Sequence, residues 1–233
     1  HCFLGYDSQG KNQLNQLIFY WNYESPDCSD TNISNSPSST GAKLIANSAY
    51  TDFALLELVE SVKNINGYIP YYLGWTRNTA PAANAVGIHH PRGDIKKISV
   101  ENNAVKNYSK KLNWTDENGN IISTTMENTH WETIFDIGTT ERGSSGSPLM
   151  NQNHLVVGQL HGGEPGCAPA TRYYGRFDKS WDYGSTATRR LKDWLDSSNA
   201  GMMQLEAREL IPEIVGTKFI CDSSTYYIKN LPA

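Results

Sequence analysis

The run Gly143-Ser144-Ser145-Gly146-Ser147-Pro148 carries the sharpest chemical signal in the chain. A serine hydroxyl is a weak nucleophile until a neighbouring base accepts its proton. It also needs backbone N–H groups aimed where an oxyanion will form. A glycine two residues before Ser145 lets the chain turn tightly, so that the amides of Gly143 and Ser145 could be those donors. Gly146 lets the chain pass close by just after the nucleophile. The same six residues also read as an ordinary Gly/Ser surface turn, with about even weight. Two other residues supply what a serine nucleophile lacks. His1 is a candidate base. Asp52 stands directly before the apolar run Phe53-Ala54-Leu55-Leu56-Glu57-Leu58, where a carboxylate could be buried and paired, as a triad acid must be. Seen alone, Asp52 is a strand-start turn residue and His1 an arbitrary terminal residue.

The elements that would have to position these groups read as short strands. Leu17 to Trp21 is dense in β-formers and ends in the turn signal Glu24-Ser25-Pro26-Asp27. Residues Thr31 to Gly41 read as a surface loop. Phe53 to Leu58 reads as a buried strand, and Tyr71 to Trp75, Ala85 to His89, Trp131 to Phe135 and Leu155 to Leu160 as further strands. Strands this short and this frequent predict an all-β barrel or sandwich. One helix is expected, from about Ser185 to Ser197, with Ala187, Leu191, Trp194 and Leu195 on one face. The stretch Ser198 to Gly201 reads as its end and as a domain boundary. From Glu213 onward the residues read as the first strands of a second β domain, cut short at Ala233.

Bulk properties narrow the class. The chain has 233 residues and a net charge of -4, which gives no sign of a nucleic-acid groove. No apolar run approaches the roughly 18–20 residues that span a bilayer. Cys2, Cys28, Cys167 and Cys221 are scattered without a CxxC pair, so no zinc cluster is expected. His89-His90 on a strand would point to opposite faces and could not easily chelate one ion; a structural role beside Pro91 is the simpler reading. Asp178 and Asp182 are too isolated for a calcium loop. Trp21, Trp75, Trp131 and Trp181 read as core residues. His130 and His154 carry no signal of their own.

The order His, Asp, Ser is that of the chymotrypsin arrangement. His1-Cys2, Asp52 to Leu56 and Gly143 to Pro148 resemble the three signature motifs of trypsin-like serine proteases. More closely, Tyr20-Trp21-Asn22-Tyr23, Leu56-Glu57-Leu58, Ile88-His89-His90-Pro91, Gly158 to Gly163, Tyr174-Gly175-Arg176 and Leu191 to Asp196 resemble the bacterial lysyl endopeptidase branch. The similarity runs from His1 to about Asp196. It implies two antiparallel six-stranded barrels, the first incomplete here, with a C-terminal helix. It also implies a secreted bacterial endopeptidase that acts on peptide or protein substrates through an acyl-enzyme. Neither a metal nor an organic cofactor is implied, nor a nucleic-acid partner, and a monomer is expected. An inactive binding or scaffold protein on the same fold is the alternative.

Carried over, His1 is the general base, Asp52 orients it and Ser145 attacks, with Gly143 and Ser145 forming the oxyanion hole. Leu160, His161, Gly162 and Gly163 would line the substrate as an edge strand, His161 as a cleft wall rather than a second base. Thr139 and Thr140 would lie near the base of the specificity pocket. The implied organisation is a protease domain at 1–198, a linker at 199–212 and the start of an Ig-like module at 213–233.

Two departures stand out. Lysyl endopeptidases carry a pocket aspartate shortly before the Tyr-Gly-Arg motif, whereas here Ala170-Thr171-Arg172-Tyr173 precedes it. Thr139, at the position trypsin uses instead, is uncharged. A lysine ammonium buried there would lack a counter-charge, so the sequence gives no support for lysine selection. Arg172 reads as a solvated surface residue, or else as a group favouring an acidic side chain. Family members also have a stretch before the catalytic histidine that builds half of the first barrel and supplies cysteine partners for Cys2, Cys28 and Cys167. Without it these three are expected to be unpaired, and the first barrel open, with its strand edges exposed.

Overall fold

The computed structural model describes residues 13–26, 36–62, 65, 68–116, 118–164, 166 and 169–209, and the backbone alone of 213–215 and 227–229. His1 and all four cysteines lie outside the described residues, and so do the expectations placed on them.

The chain is built almost wholly of strands. After β1 (Ile18–Tyr20) and β2 (Ser38–Thr40) comes a hairpin of β3 (Ala42–Ser48) and β4 (Phe53–Leu58). β5 (Tyr71–Tyr72) and β6 (Trp75–Thr76) are two-residue strands separated at Gly74, where one continuous strand was expected. A Cβ at Gly74 would lie 2.4 Å from the Leu205 carbonyl oxygen, so the backbones approach too closely there for any side chain. Next come β7 (Ala85–His89), β8 (Lys97–Glu101), β9 (Lys106–Tyr108), β10 (Asn113–Thr115), β11 (Ile121–Thr124), β12 (His130–Thr133), β13 (Pro148–Asn151), β14 (Val156–Gly163) and β15 (Arg172–Arg176). The fold is all-β, as the spacing of apolar runs predicts.

The main sheet runs β8-β7-β13-β14-β15-β12-β9, with every neighbouring pair along this path antiparallel. Its core is Ala85, Trp131, Phe135, Leu149, Val157, Leu160 and Tyr174, all buried. Trp131 adds a hydrogen bond from its indole N–H to the Val157 carbonyl, 3.0 Å. A second apolar cluster joins the β3–β4 hairpin to the end of this sheet. Ala46 and Phe53 pack with Trp75, Phe177, Trp181 and Leu191. Trp75, Trp131 and Trp181 are thus core residues, while Trp21 is only half-buried.

Three local expectations are corrected. β4 is not a buried strand: Phe53 is buried, but Ala54 and Glu57 are exposed. Among the described residues β4 pairs only with β3, so one face suffices for the core and its other apolar residues stay partly wet. The expected helix from Ser185 to Ser197 is reduced to a 3₁₀ turn at Ala187–Arg189 and one α turn, α2 (Lys192–Leu195). The extended backbone of Arg190 breaks it, where the guanidinium folds forward onto the Asp193 carboxylate. A helix not read from the sequence, α1 (Phe177–Asp182), directly follows β15.

Residues 199–212, expected as a linker, run along the body of the domain as far as they are described. β16 (Gln204–Leu205) pairs with β6 and β17 (Arg208–Glu209) with β5. Asp196 anchors this strap by accepting the amides of Ala200, Gly201 and Met202. Beyond it, β18 (Glu213–Val215) and β19 (Tyr227–Lys229) form an antiparallel pair.

The hairpin is locked to the sheet through Thr51, in the β3–β4 turn. Its carbonyl accepts Gln159 Nε2 at 2.6 Å and its hydroxyl hydrogen-bonds with Ser180 of α1 at 3.0 Å. Gly175 in β15 makes the contact possible, since a Cβ there would sit 1.7 Å from the Thr51 carbonyl oxygen. Gly175→Ala is therefore expected to destabilise the fold by about 1–3 kcal/mol or more through overpacking. Urea denaturation of the two proteins measures it, and equal midpoints would refute this account of the lock.

Candidate active site

Asp52 closes the β3–β4 turn with a left-handed backbone, φ 59°, a conformation Asp tolerates better than most residues. Its side chain is almost fully buried. Facing it is His161 of β14, whose Nε2 lies 3.5 Å from Asp52 Oδ2. His161 Nδ1 hydrogen-bonds with His130 Nε2 at 2.9 Å, and His130 Nδ1 with Thr129 Oγ1 at 3.0 Å. Thr129 also donates its hydroxyl proton to the Met126 carbonyl, 2.7 Å. That fixes the direction of the chain. Thr129 accepts His130 Nδ1–H, His130 Nε2 accepts His161 Nδ1–H, and the contact of His161 Nε2 with Asp52 is attractive when that nitrogen also carries a proton. Trp114 of β10 lies over the His161 ring, with centroids 4.3 Å apart. Gly162 makes room for it: a Cβ there would be 2.8 Å from the indole.

His161 is thus turned inward toward Asp52 and buried, instead of forming an open cleft wall as expected. His130 and Trp114 escaped sequence reading because each gains its meaning from a strand partner distant in the chain.

The Gly143–Pro148 loop sits at the entry to β13. Gly143 has φ 91° and Gly146 φ 84°, so both glycines occupy left-handed backbone. At Gly143 there is no space either: a Cβ would stand 2.8 Å from the Arg92 amide nitrogen. The amides of Ser144, Gly146 and Ser147 donate to Glu141, Leu160 and Ser144 carbonyls. Among the described residues, those of Gly143 and Ser145 donate to none. Ser144 is the buried prop of the loop. Its hydroxyl accepts the Glu141 amide at 3.3 Å and meets His89 Nδ1 at 2.9 Å, while His89 Nε2 meets Ser99 Oγ at 3.0 Å. Burial holds His89 below the usual imidazole value, so the ring is neutral and serves as a hydrogen-bond spacer. His90 faces away and accepts no role beside it, bonding the Asp94 carbonyl instead.

Ser145 is half-buried and lines an open cleft of about 1100 Å³ together with Thr140, Leu160, Gly162, Gly163 and Arg172. Thr139 touches the cleft wall indirectly, through its hydroxyl on Arg172. Leu160 to Gly163 do not belong to an edge strand along their whole length, since β14 lies between β13 and β15. The β13 ladder ends at Gln159, however, and among the described residues Gly162 and Gly163 pair only with β15. Arg172 corrects the sequence reading most sharply. It is not solvated but 3% exposed, because its guanidinium is drawn into the carbonyls around the cleft.

The sequence pattern of the family described as "Lysyl endopeptidase, C-terminal domain" matches residues 1–177. The chain belongs to this family. Among solved structures it is similar to the active form of the Rv3671c protease from M. tuberculosis, at 18% identity and a TM-score of 0.43, over 62% of this chain and 59% of that one. The inactive form of the same protease gives 18% identity and a TM-score of 0.41, over 62% and 69%. The chain thus spans less than two thirds of the active form's length.

The histidine chain leads to a pH prediction. Burial lowers the His130 pKa to about 3, against roughly 6.5 in an unfolded chain. Between those values the unfolded state binds the extra proton, so stability falls as pH drops, by up to about 1.4 kcal/mol per unit. His130→Gln removes this term. Urea titrations at several pH values are expected to show a shallower loss below about pH 6.5 in the variant; identical slopes would show that His130 does not stay neutral in the native state.

Proposed function

We propose that this chain is a secreted bacterial peptide hydrolase in which Ser145 attacks the scissile carbonyl, His1 is the general base and Asp52 orients it. His1 takes the hydroxyl proton as Ser145 Oγ bonds to the carbonyl carbon. The amides of Gly143 and Ser145 then receive the developing oxyanion. His1 returns the proton to the leaving amine, and water hydrolyses the ester by the reverse sequence. The scheme requires neither metal nor organic cofactor. The observation that supports it most is the serine loop itself, with Ser145 lining the cleft and, among the described residues, the amides of Gly143 and Ser145 donating to no acceptor. Family membership supports the class of reaction and an extracellular location. The burial of Asp52 at the start of β4 fits the orienting role, because a triad acid is held away from solvent.

A fluorophosphonate is expected to label the full chain at Ser145, and Ser145→Ala to abolish the label. Gly143→Ala tests the oxyanion donors: its Cβ has no room and its φ is wrong for alanine, so the labelling rate is expected to fall by about 100-fold or more. Labelling that persists in Ser145→Ala would rule out this nucleophile. A wild-type protein that takes no label would favour a peptide-binding protein that has lost the chemistry.

A further inference from the structure

We propose that His89 is a positioning residue for peptide hydrolysis: its ring holds Ser144 from the β7–β8 corner and so helps to aim the two amides that would receive the oxyanion. This rests on the reading of Ser145 as nucleophile. His89, Ser99 and Ser144 are all buried. The ring spans the two serine hydroxyls, with Nδ1 2.9 Å from Ser144 Oγ and Nε2 3.0 Å from Ser99 Oγ of β8. Ser144 Oγ in turn accepts the Glu141 amide at 3.3 Å. The anchor is firm, because β7 lies inside the main sheet and is hydrogen-bonded to β8 on one side and to β13 on the other.

Ser144 stands between the two donors. A planar trans peptide points its C=O and its N–H in opposite directions, so whatever holds the carbonyl aims the amide of the same unit. The Ser144 carbonyl, which shares a peptide unit with the Ser145 amide, accepts the Ser147 amide at 3.1 Å. The Arg142 carbonyl, which shares one with the Gly143 amide, accepts the Arg92 amide at 2.7 Å. Arg92 belongs to the same corner as His89 and turns with a left-handed φ of 55°. The loop is pressed against this corner at two points. A Cβ at Gly138 would lie 2.9 Å from Ser99 Oγ, and one at Gly143 2.8 Å from the Arg92 nitrogen. The Arg92 guanidinium also bridges Glu141 at 3.0 Å, but most of it is in water, so that pair contributes little. The buried tie is the one from His89 to Ser144.

The test exploits the two ends of the ring. An asparagine amide reaches as far as histidine Nδ1, and a glutamine amide as far as Nε2. His89→Asn can therefore keep the Ser144 bond and lose Ser99, and His89→Gln the reverse. Fluorophosphonate labelling of the full chain is followed over a range of probe concentrations, which separates probe binding from the rate of attack. His89→Gln is expected to lower the limiting rate by about 10- to 100-fold, the cost of a misplaced oxyanion donor, with the half-saturating concentration little changed. His89→Asn is expected to stay near the wild-type rate. A histidine that only fills the core would give equal losses in both variants; that result, or wild-type rates in both, overturns the proposal. Should a His89 variant not fold, Ser144→Ala, which removes only the hydroxyl, is expected to show the same fall, and a wild-type rate there overturns it as well. If the wild type takes no label, the catalytic reading falls, and amide hydrogen exchange at Glu141 and Ser144 decides the positioning: faster exchange in His89→Gln than in His89→Asn supports it, and any other order refutes it.

Discussion

The contact of Thr51 with Gly175 and Gln159 is the constraint on which the candidate site depends. The β3–β4 hairpin shares no described ladder with the main sheet, so nothing in strand pairing fixes where Asp52 points. Its position comes from one turn pressed against bare backbone at Gly175, one side-chain bond from Gln159, and the apolar cluster of Phe53 with Trp75 and Trp181. The cluster supplies most of the adhesion, since burying large aromatic side chains outweighs single net hydrogen bonds. The two polar contacts set the register of the docking, because a buried carbonyl left without its donor would be costly.

β14 carries that register across to the serine loop within a few residues. Gln159 holds the Thr51 carbonyl. Leu160 accepts the Gly146 amide and donates to the Ser147 carbonyl. His161 faces Asp52, and Gly162 and Gly163 line the cleft. Strand alternation explains the division of labour. Gln159 and His161 share the face toward the hairpin, while the Leu160 side chain enters the opposite core. The ladder with β15 slips between Leu160 and Gly162, a bulge of the kind that re-aims side chains near functional sites. A displacement of this strand would move the acid and the nucleophile loop together, which preserves their relation better than two independent supports would.

Much of this was legible in the sequence because the signals were local. Gly143 and Gly146 announced a loop needing unusual backbone, and both have it. The β-former runs placed β7, β12 and β14 of the main sheet, but not β8, β9, β13 or β15. Asp52 before Phe53 was readable as a burial site because the apolar side chain next to it needs a core. What could not be read were residues whose role depends on a partner far along the chain. His130 is ordinary until His161 lies across from it. The helix expected at Ser185 to Ser197 had the right apolar spacing, but the pairing of Arg190 with Asp193 and the burial of Leu191 against α1 and the hairpin win over propensity there.

Arg172 shows the same limit in electrostatic form. A lone arginine in a polar stretch is most simply solvated, since few side chains cost more to bury. What changes the balance is a ring of carbonyls from Thr140, Glu164, Gly166 and Thr171, assembled by the turns on either side of β15 and invisible in side-chain identities. Those carbonyls, with the Thr139 hydroxyl, fix the guanidinium in the cleft wall that Ser145 also lines, so an arginine that its neighbours in sequence would leave in water becomes part of the frame of the cleft.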